Sequence, residues 1–254
     1  MQNRVKSNLK LAIKRVIWFF LDLYLYRLIP HGVNVFSDIK KKLPRYSIKM
    51  IFDVGANIGD SSFEYIKRYP SAQIVCFEPI STTFNELQGN TGKLPAVQCH
   101  QLALGIIQEE VNVILQPSSV ENSLLKRAKT GTLGNTKYER VKVDTLDNFC
   151  VNHNIPQIDF LKIDTEGFDL NVLKGGDSLL ESHSISFIQV EAGLSPYNKF
   201  HVSFEEVKAY LEAKDYLLFG IYSQTPEWSG KPQMRFCNAV FLSSHIINSF
   251  ENYR

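Results

Sequence analysis

Several features that would place this 254-residue chain in a common class are missing or scarce. The net charge is only +2 at pH 7, so the composition predicts no nucleic-acid partner. The four cysteines form no CxxC pair, and we therefore predict free thiols in a reducing compartment, the cytoplasm. The six histidines show no spacing typical of metal ligands, so no metal is predicted from them.

A long uncharged apolar run is also missing. A membrane-spanning helix needs about 20 largely apolar residues, but Asp22 and Arg27 interrupt the run that begins at Val16. A signal peptide would need small residues after its apolar core, and Tyr24 stands there instead. Apolar residues recur at helical spacing in this region, which predicts an amphipathic helix that packs on the domain or on a second subunit. The alternative is peripheral membrane contact through the basic residues of 1–30.

The composition of the whole chain, with 44% hydrophobic and 21% charged residues, is that of an ordinary globular protein. We predict an N-terminal helical extension with a connector at 1–45, in which Pro30, Gly32 and the basic residues 40–42 separate the helix from one domain at 46–254. Apolar strands alternate there with amphipathic helices, which predicts an α/β fold with a mostly parallel sheet and helices on both faces.

The predicted strands share apolar or alternating patterns and are residues 48–54, 74–78, 97–104, 111–115, 138–143, 158–164, 185–191, 216–222 and 235–243. The predicted helices have amphipathic spacing or a capping residue and are 60–68, 81–90, 145–153, 169–173, 179–181 and 203–213. The long polar segment 118–136 is a candidate lid over a substrate or cofactor, because loops of that length in compact domains are usually functional.

The first strand runs into a glycine-bearing turn that opens a helix. Gly55 and Gly59 allow a sharp turn with close approach of a ligand to the backbone, and Asp53 at the strand tip can bind a polar group. Glu78 follows 25 residues after Asp53, at the tip of the next strand. An acid at that place can accept both ribose hydroxyls of an adenosine.

The turn also lacks a glycine. A dinucleotide site requires GxGxxG, because the pyrophosphate approaches the helix through the middle glycine, and this chain has only GxxxG after Asp53. S-adenosylmethionine carries no phosphate, and its ammonium group favours a nearby acid. The pattern therefore favours S-adenosylmethionine, with a nicotinamide-dependent oxidoreductase as the alternative.

Five segments in this order resemble the FkbM-type, class I S-adenosylmethionine-dependent methyltransferases, and they are residues 52–59, 77–79, 143–147, 161–167 (with IDTEG) and 172–176 (VLKGG). The resemblance covers about 48–243. It implies a Rossmann-like, seven-stranded sheet and methylation of hydroxyl groups on sugars, lipids or polyketides. Asp169 departs from the glutamate that many relatives have at its position.

The same resemblance implies roles for the cofactor residues. Asp53, Gly55 and Gly59 would line the methionine end of S-adenosylmethionine, and Glu78 would hold the ribose. Asn57 and Pro79, which lie in the matching segments, are predicted with them as cofactor-binding residues.

Acids end four of the predicted strands, at Asp53, Glu78, Asp164 and Glu191. Because the carboxyl ends of parallel strands form one crevice, we expect these side chains at one edge of the sheet.

A hydroxyl acceptor must lose a proton during methyl transfer, so a general base is needed. The candidates are Asp164, Glu166 and Glu191, with Asp164 favoured. Asp164 can instead orient the substrate or bind a divalent cation together with Glu191, and Glu166 can instead cap the next helix.

The histidines at 100, 153, 183 and 201 are predicted to take no part in the reaction, although His201 and Tyr197 follow Glu191 where a substrate loop is expected. Trp228, in a polar loop between the last two strands, offers a flat surface for a sugar ring.

We thus predict an O-methyltransferase acting on a small-molecule or glycan hydroxyl. A non-catalytic module of a membrane-associated biosynthetic assembly is a further alternative.

Overall fold

The structure is a computed structural model that describes residues 29–115, 124, 137–227 and 230–253. The predicted N-terminal helix, most of the 118–136 lid and Trp228 therefore lie outside the described residues. The elements, in chain order, are α1 (Val35–Lys42), β1 (Met50–Val54), α2 (Asp60–Arg68), β2 (Gln73–Phe77), α3 (Ser81–Thr91), β3 (Val97–His100), β4 (Ala103–Leu104), β5 (Glu109–Ile114), β6 (Tyr138–Asp144), α4 (Leu146–Asn152), β7 (Ile158–Ile163), α5 (Asp169–Lys174), α6 (Asp177–Glu181), β8 (Ile185–Gly193), β9 (Val202–Ser203), α7 (Phe204–Glu212), β10 (Tyr216–Pro226), β11 (Met234–Ser243), α8 (Ser244–Asn248) and α9 (Phe250–Tyr253).

The main sheet has the strand order β3-β2-β1-β7-β8-β11-β10, with the short β9 added beside the end of β8. The first five strands of this order are parallel, and β11 runs antiparallel to both of its neighbours. The predicted Rossmann-like, mostly parallel sheet is confirmed. Because the chain leaves β1 towards β2 on one side and β7 lies on the other, the ligand crevice of such a sheet falls beside β1.

A second sheet of three strands has the order β4-β6-β5. The prediction of one strand over 97–104 is wrong, because the chain turns after His100, where the Leu102 N–H donates to the His100 carbonyl at 2.9 Å. Ala103 and Leu104 then pair with β6 instead of β2. The second sheet thereby contributes buried residues to the core on one face of the main sheet.

The interpretation of residues 30–44 as a connector is wrong, since α1 lies within them. Asn34 caps this helix by accepting a hydrogen bond from the Ser37 N–H, and Phe36 lies with its ring centroid 5.0 Å from that of Phe160 on β7. Its lysines, residues 40–42, are exposed, while Ile39 is buried against the sheet. The basic run is the solvated face of an amphipathic helix.

All four cysteines are free, as predicted: Cys76, Cys150 and Cys237 are buried, and Cys99 is half-buried. Within the described ranges, every helix is too short or too polar to cross a membrane.

Candidate active site

A cavity of about 130 Å³ opens at the carboxyl ends of β1, β2 and β7, which is the crevice expected from the strand order. Its wall consists of the turn after β1, the tip of β2, the start of the second sheet and the segment after β7. Of the predicted site residues it includes Gly55, Asn57, Glu78, Pro79, Asp164 and Glu166. From the 118–136 segment, Leu124 is described and lies buried on this wall.

The turn after β1 depends on two glycines with left-handed backbone conformations. Gly55 has φ +82°, and a Cβ built there would lie 1.9 Å from the carbonyl oxygen of Asp164. Gly59 precedes α2 with φ +93°, and its Cβ would meet the Leu87 side chain at 2.8 Å. Only glycine adopts such angles at low cost, so Gly55 allows the turn to lie against the end of β7 and Gly59 allows the start of α2 to lie against α3.

Two polar side chains of the cavity wall are suited to a ligand with hydroxyl and amino groups. Asn57 is also left-handed, with φ +48°, and its buried Oδ1 has no hydrogen-bond partner among the described residues. Glu78 is buried at the tip of β2, where its Oε1 accepts from the Ile80 N–H at 3.0 Å. Burial raises the pKa of Glu78 to about 7. An unsatisfied acceptor and a buried carboxylate fit the predicted cofactor.

Asp53 faces away from this cavity. Its fully buried carboxylate lies 3.2 Å from the Nζ of Lys162, and the same ammonium lies 3.1 Å from Asp164 Oδ2. Burial raises the pKa of Asp53, and the charge of Lys162 opposes that shift. A direct contact of Asp53 with the cofactor stays a prediction. In the structure, Asp53 neutralises the charge of the nearly buried Lys162, a residue to which the sequence analysis assigned no role.

The three predicted catalytic acids lie together. Asp164, Glu166 and Glu191 each offer a carboxylate oxygen within 4.8 Å of the others. Glu166 has a left-handed φ of +52°, and burial, reinforced by the charges of Asp164 and Glu191, raises its pKa to about 7. A carboxyl with that pKa can accept a proton at neutral pH. Oxygen ligands at such distances also suit a divalent cation, and the absence of a metal stays a prediction.

Asp169 holds the turn on which Glu166 of this cluster lies. It is buried, and its carboxylate accepts from the Thr165 N–H at 3.3 Å and from the Gly167 N–H at 3.1 Å. Burial raises its pKa to about 6. Asp169 therefore fixes the turn that carries Glu166, and neither Glu166 nor Thr165 caps α5 with its side chain.

His201, which was predicted to take no part in the reaction, contacts Glu191 of this cluster. Its Nε2 lies 2.8 Å from Glu191 Oε2, its Nδ1 lies 2.8 Å from the Asn198 Nδ2, and its ring stacks on Phe236 at 4.6 Å. Burial alone lowers the pKa of His201, but the hydrogen bond and the charge of Glu191 raise it overall. The one sequence signal is its position ten residues after a strand-tip acid. By contrast, the His153 ring stacks on Phe149, with the ring centroids 3.9 Å apart.

Comparison with known proteins gives a consistent assignment. A family model described as Methyltransferase FkbM domain matches residues 53–218. The chain is 26% identical over 148 residues to the hexuronic acid methyltransferase AglP of Haloferax volcanii, and the match covers 58% of each chain. It is 24% identical over 144 residues to the 2-O-methyltransferase NoeI of Sinorhizobium fredii, which covers 52% of this chain and 58% of NoeI. The chain thus spans less than two thirds of the length of these two relatives.

Similarity to solved structures is looser. M. capricolum TrmK in complex with S-adenosyl-homocysteine aligns with a TM-score of 0.44 at 10% identity, over 84% of this chain and 70% of TrmK. Precorrin-6y C5,15-methyltransferase from Geobacter metallireducens aligns with a TM-score of 0.42 at 11% identity, over 87% of this chain and 93% of that chain. At these TM-scores the alignments carry no detail of the site.

Proposed function

This chain belongs to the FkbM methyltransferase family, and we propose that it transfers a methyl group from S-adenosylmethionine to a hydroxyl oxygen of a sugar. Family membership supports the methyltransferase activity and the cofactor. The names of two relatives support the acceptor, since one is a hexuronic acid methyltransferase and the other a 2-O-methyltransferase.

The cluster of Asp164, Glu166 and Glu191 is the main support for the proposal that the methylated atom is a hydroxyl oxygen. Asp164 and Glu166 lie on the wall of the cofactor cavity, and all three acids present carboxylate oxygens within 4.8 Å of one another. A hydroxyl group is a weak nucleophile until a base removes its proton, whereas a thiolate or a neutral amine needs less help. Converging carboxylates therefore favour a hydroxyl acceptor.

Each side chain has a separate part in this proposal. Gly55, Asn57 and Glu78 would hold the cofactor, which supplies an electrophilic methyl group on a positively charged sulfur when it is bound. Glu166 accepts the proton of the acceptor hydroxyl, because its pKa of about 7 leaves enough carboxylate at neutral pH. This choice differs from the prediction that favoured Asp164, whose Oδ2 lies 3.1 Å from Lys162.

Calorimetric titration of the full chain with S-adenosylmethionine and, separately, with NADH tests the cofactor. We expect binding of S-adenosylmethionine alone, and a weaker affinity in Glu78→Gln. Tight binding of NADH instead would favour the oxidoreductase alternative.

Incubation of the full chain with radiolabelled methyl donor and a set of sugars, lipids and phenols tests the acceptor. We expect the labelled methyl group to be found on a sugar, in an ether linkage that is stable to base. Binding of the cofactor without label in any acceptor would favour the non-catalytic alternative.

A further inference from the structure

One face of the main sheet changes character along its strands. Alternate residues of a strand point to the same face, and the paired residues of β7, β8 and β11 define rows across it. The first row is apolar and consists of Phe160, Phe187 and Leu242, all of them buried. Helix α1 covers it, with Phe36 packed against Phe160.

Two positions closer to the carboxyl edge, the same face becomes polar. Phe160 is followed by Lys162 and then Asp164 on β7, and Phe187 is followed by Gln189 and then Glu191 on β8. Asn238 of antiparallel β11 is the register partner of Glu191. The polar row consists of Lys162 and its register partner Gln189, with Val240 as the apolar partner of Gln189 on β11. Central strands of a parallel sheet are normally apolar on both faces, so polar residues at these positions are unusual for a surface that only packs.

A cavity of about 220 Å³ lies over the polar row. Lys162, Gln189 and Asn238 line it from the sheet, and the start of α1, the first turn of α2 and the end of β10 enclose it. Lys162 is the one cationic side chain on this wall among the described residues, and both Asp53 and Asp164 already balance its charge. The cavity therefore offers little to a phosphate group and, with its polar walls, little to an acyl chain.

The amides of Gln189 and Asn238 are free to bind a ligand. Both side chains are half-buried, and within residues 29–115, 137–227 and 230–253 neither forms a side-chain hydrogen bond. An amide presents two donors and an acceptor, which matches the paired donor and acceptor character of a hydroxyl group. Side chains of this kind recognise a ring that carries several hydroxyls.

The position of this cavity relative to the acids completes the argument. Lys162 lies on its wall, and the Nζ of Lys162 is 3.1 Å from the Oδ2 of Asp164, which lies on the wall of the cofactor cavity. Glu191 is the next residue on the same face after Gln189. Asp164 thus borders both cavities, and a hydroxyl held at that border can contact the methyl group of the cofactor while the acid cluster accepts its proton, as in-line transfer requires.

We infer that the cavity over Lys162, Gln189 and Asn238 is the acceptor site, and that it holds one sugar ring whose hydroxyls bond to the two amides. The inference rests on the proposed function and names the surface that selects the substrate. Sites for drug-sized ligands measure about 300–1,000 Å³, so a cavity of about 220 Å³ fits a single ring better than an oligosaccharide.

Ligand-detected NMR of the full chain with S-adenosyl-homocysteine and methyl glycosides of glucose, mannose, fucose, rhamnose and glucuronic acid tests the site. The variants are Gln189→Leu and Asn238→Leu, which keep the side-chain volume. Gln73→Leu, at an exposed strand position away from the cavity, is the matched control. We expect each cavity variant to weaken binding of the bound glycoside about tenfold, with unchanged affinity for S-adenosyl-homocysteine, and the control to behave as wild type.

Glycoside binding that is equal in the cavity variants and in wild type would overturn the acceptor site while leaving the proposed function intact. If the full chain binds S-adenosyl-homocysteine but methylates only a non-sugar hydroxyl compound, the sugar in the proposed function is wrong and so is the sugar in this cavity. The KM of that compound in the same variants then decides whether the cavity is the acceptor site at all: an unchanged KM overturns it, and a raised KM retains it.

Discussion

The two halves of the candidate site are constructed differently. The cofactor half is a backbone structure, in which Gly55, Asn57 and Gly59 adopt left-handed conformations within five residues of chain. The acid half is a side-chain structure, in which Glu191 meets Glu166 and His201 across strands and loops. A backbone site tolerates no added atoms, whereas a side-chain site depends on charge and can be altered without loss of the fold. The predictions below test that difference.

The largest effect is expected at Gly55. In Gly55→Ala the new Cβ would overlap the Asp164 carbonyl at 1.9 Å and the residue would remain at φ +82°. We expect the free energy of unfolding to fall by about 2–4 kcal/mol and cofactor binding to be lost. Chemical denaturation and calorimetric titration measure both.

Gly89→Ala is the control for that change, because a Cβ at Gly89, in the last turn of α3, meets nothing within 4 Å. We expect it to leave stability unchanged or to raise it by about 0.5–1 kcal/mol. Equal stability of the two variants would show that the turn requires neither the left-handed backbone of Gly55 nor its close approach to Asp164.

The acid half should respond in rate and not in stability. Glu166→Gln removes the proposed proton acceptor but keeps the shape of the side chain, so we expect kcat to fall about 10²–10⁴-fold with the affinity for S-adenosylmethionine unchanged. Glu86→Gln, at an exposed position of α3, is the matched control. A wild-type kcat in Glu166→Gln would show that Glu166 is not the base and would leave Asp164 or Glu191 in that role.

His201 should act through Glu191 and is therefore a positioning residue. We expect His201→Ala to lower kcat about tenfold, because Glu191 loses a hydrogen bond of 2.8 Å. His201→Gln retains an N–H that can reach Glu191, so it should recover most of the rate. Steady-state kinetics of the pair measure this, and two variants with equal losses would contradict a role that depends on this hydrogen bond.

The smallest effect is a pH dependence of cofactor affinity. The pKa of Glu78 is raised to about 7 in the free protein, so the carboxylate becomes protonated below that pH and loses one acceptor for the ribose hydroxyls. We expect the affinity for S-adenosyl-homocysteine to fall about tenfold between about pH 8 and about pH 6, and Glu78→Gln to lack this dependence. Titration calorimetry at several pH values measures it.

Stability should change in the opposite sense. Because the folded pKa of Glu78 lies above its ordinary value, the folded state binds the proton more tightly than the unfolded state. The contribution of Glu78 to the free energy of unfolding is therefore largest at acid pH and declines as pH rises from about 4.5 to about 7. Thermal unfolding of the ligand-free wild type and Glu78→Gln would show a difference that is constant with pH if this carboxyl were not buried.

Much of the fold follows from local patterns. The strands around residues 51–54, 74–77 and 158–163 are apolar runs of the right length. Thr145 and Ser203, the first residues of two predicted helices, are the residues that cap α4 and α7. The sequence-based predictions were wrong where the local pattern and the tertiary packing disagree. The three lysines of α1 suggested a connector, although they form the exposed face of an amphipathic helix. The apolar run 97–104 suggested one strand, although its last two residues pair with β6 of the second sheet.

The cofactor turn and its acids could be predicted because their chemistry is local. A left-handed turn requires glycine wherever it occurs, and an acid that ends a parallel strand lies at the ligand edge whatever the rest of the chain does. For these reasons the sequence alone determined the class of cofactor and three acids that could act as base.

Tertiary structure alone decided which side chains face each other. The order and register of β7, β8 and β11 place Lys162, Gln189 and Asn238 in one polar surface, and the return of the loop after β8 brings His201 to Glu191. Residues that are 76 positions apart, such as Lys162 and Asn238, carry no mark of their proximity in the sequence. Their places on the wall of one cavity depend on strand pairing, which is a property of the whole sheet and not of any segment.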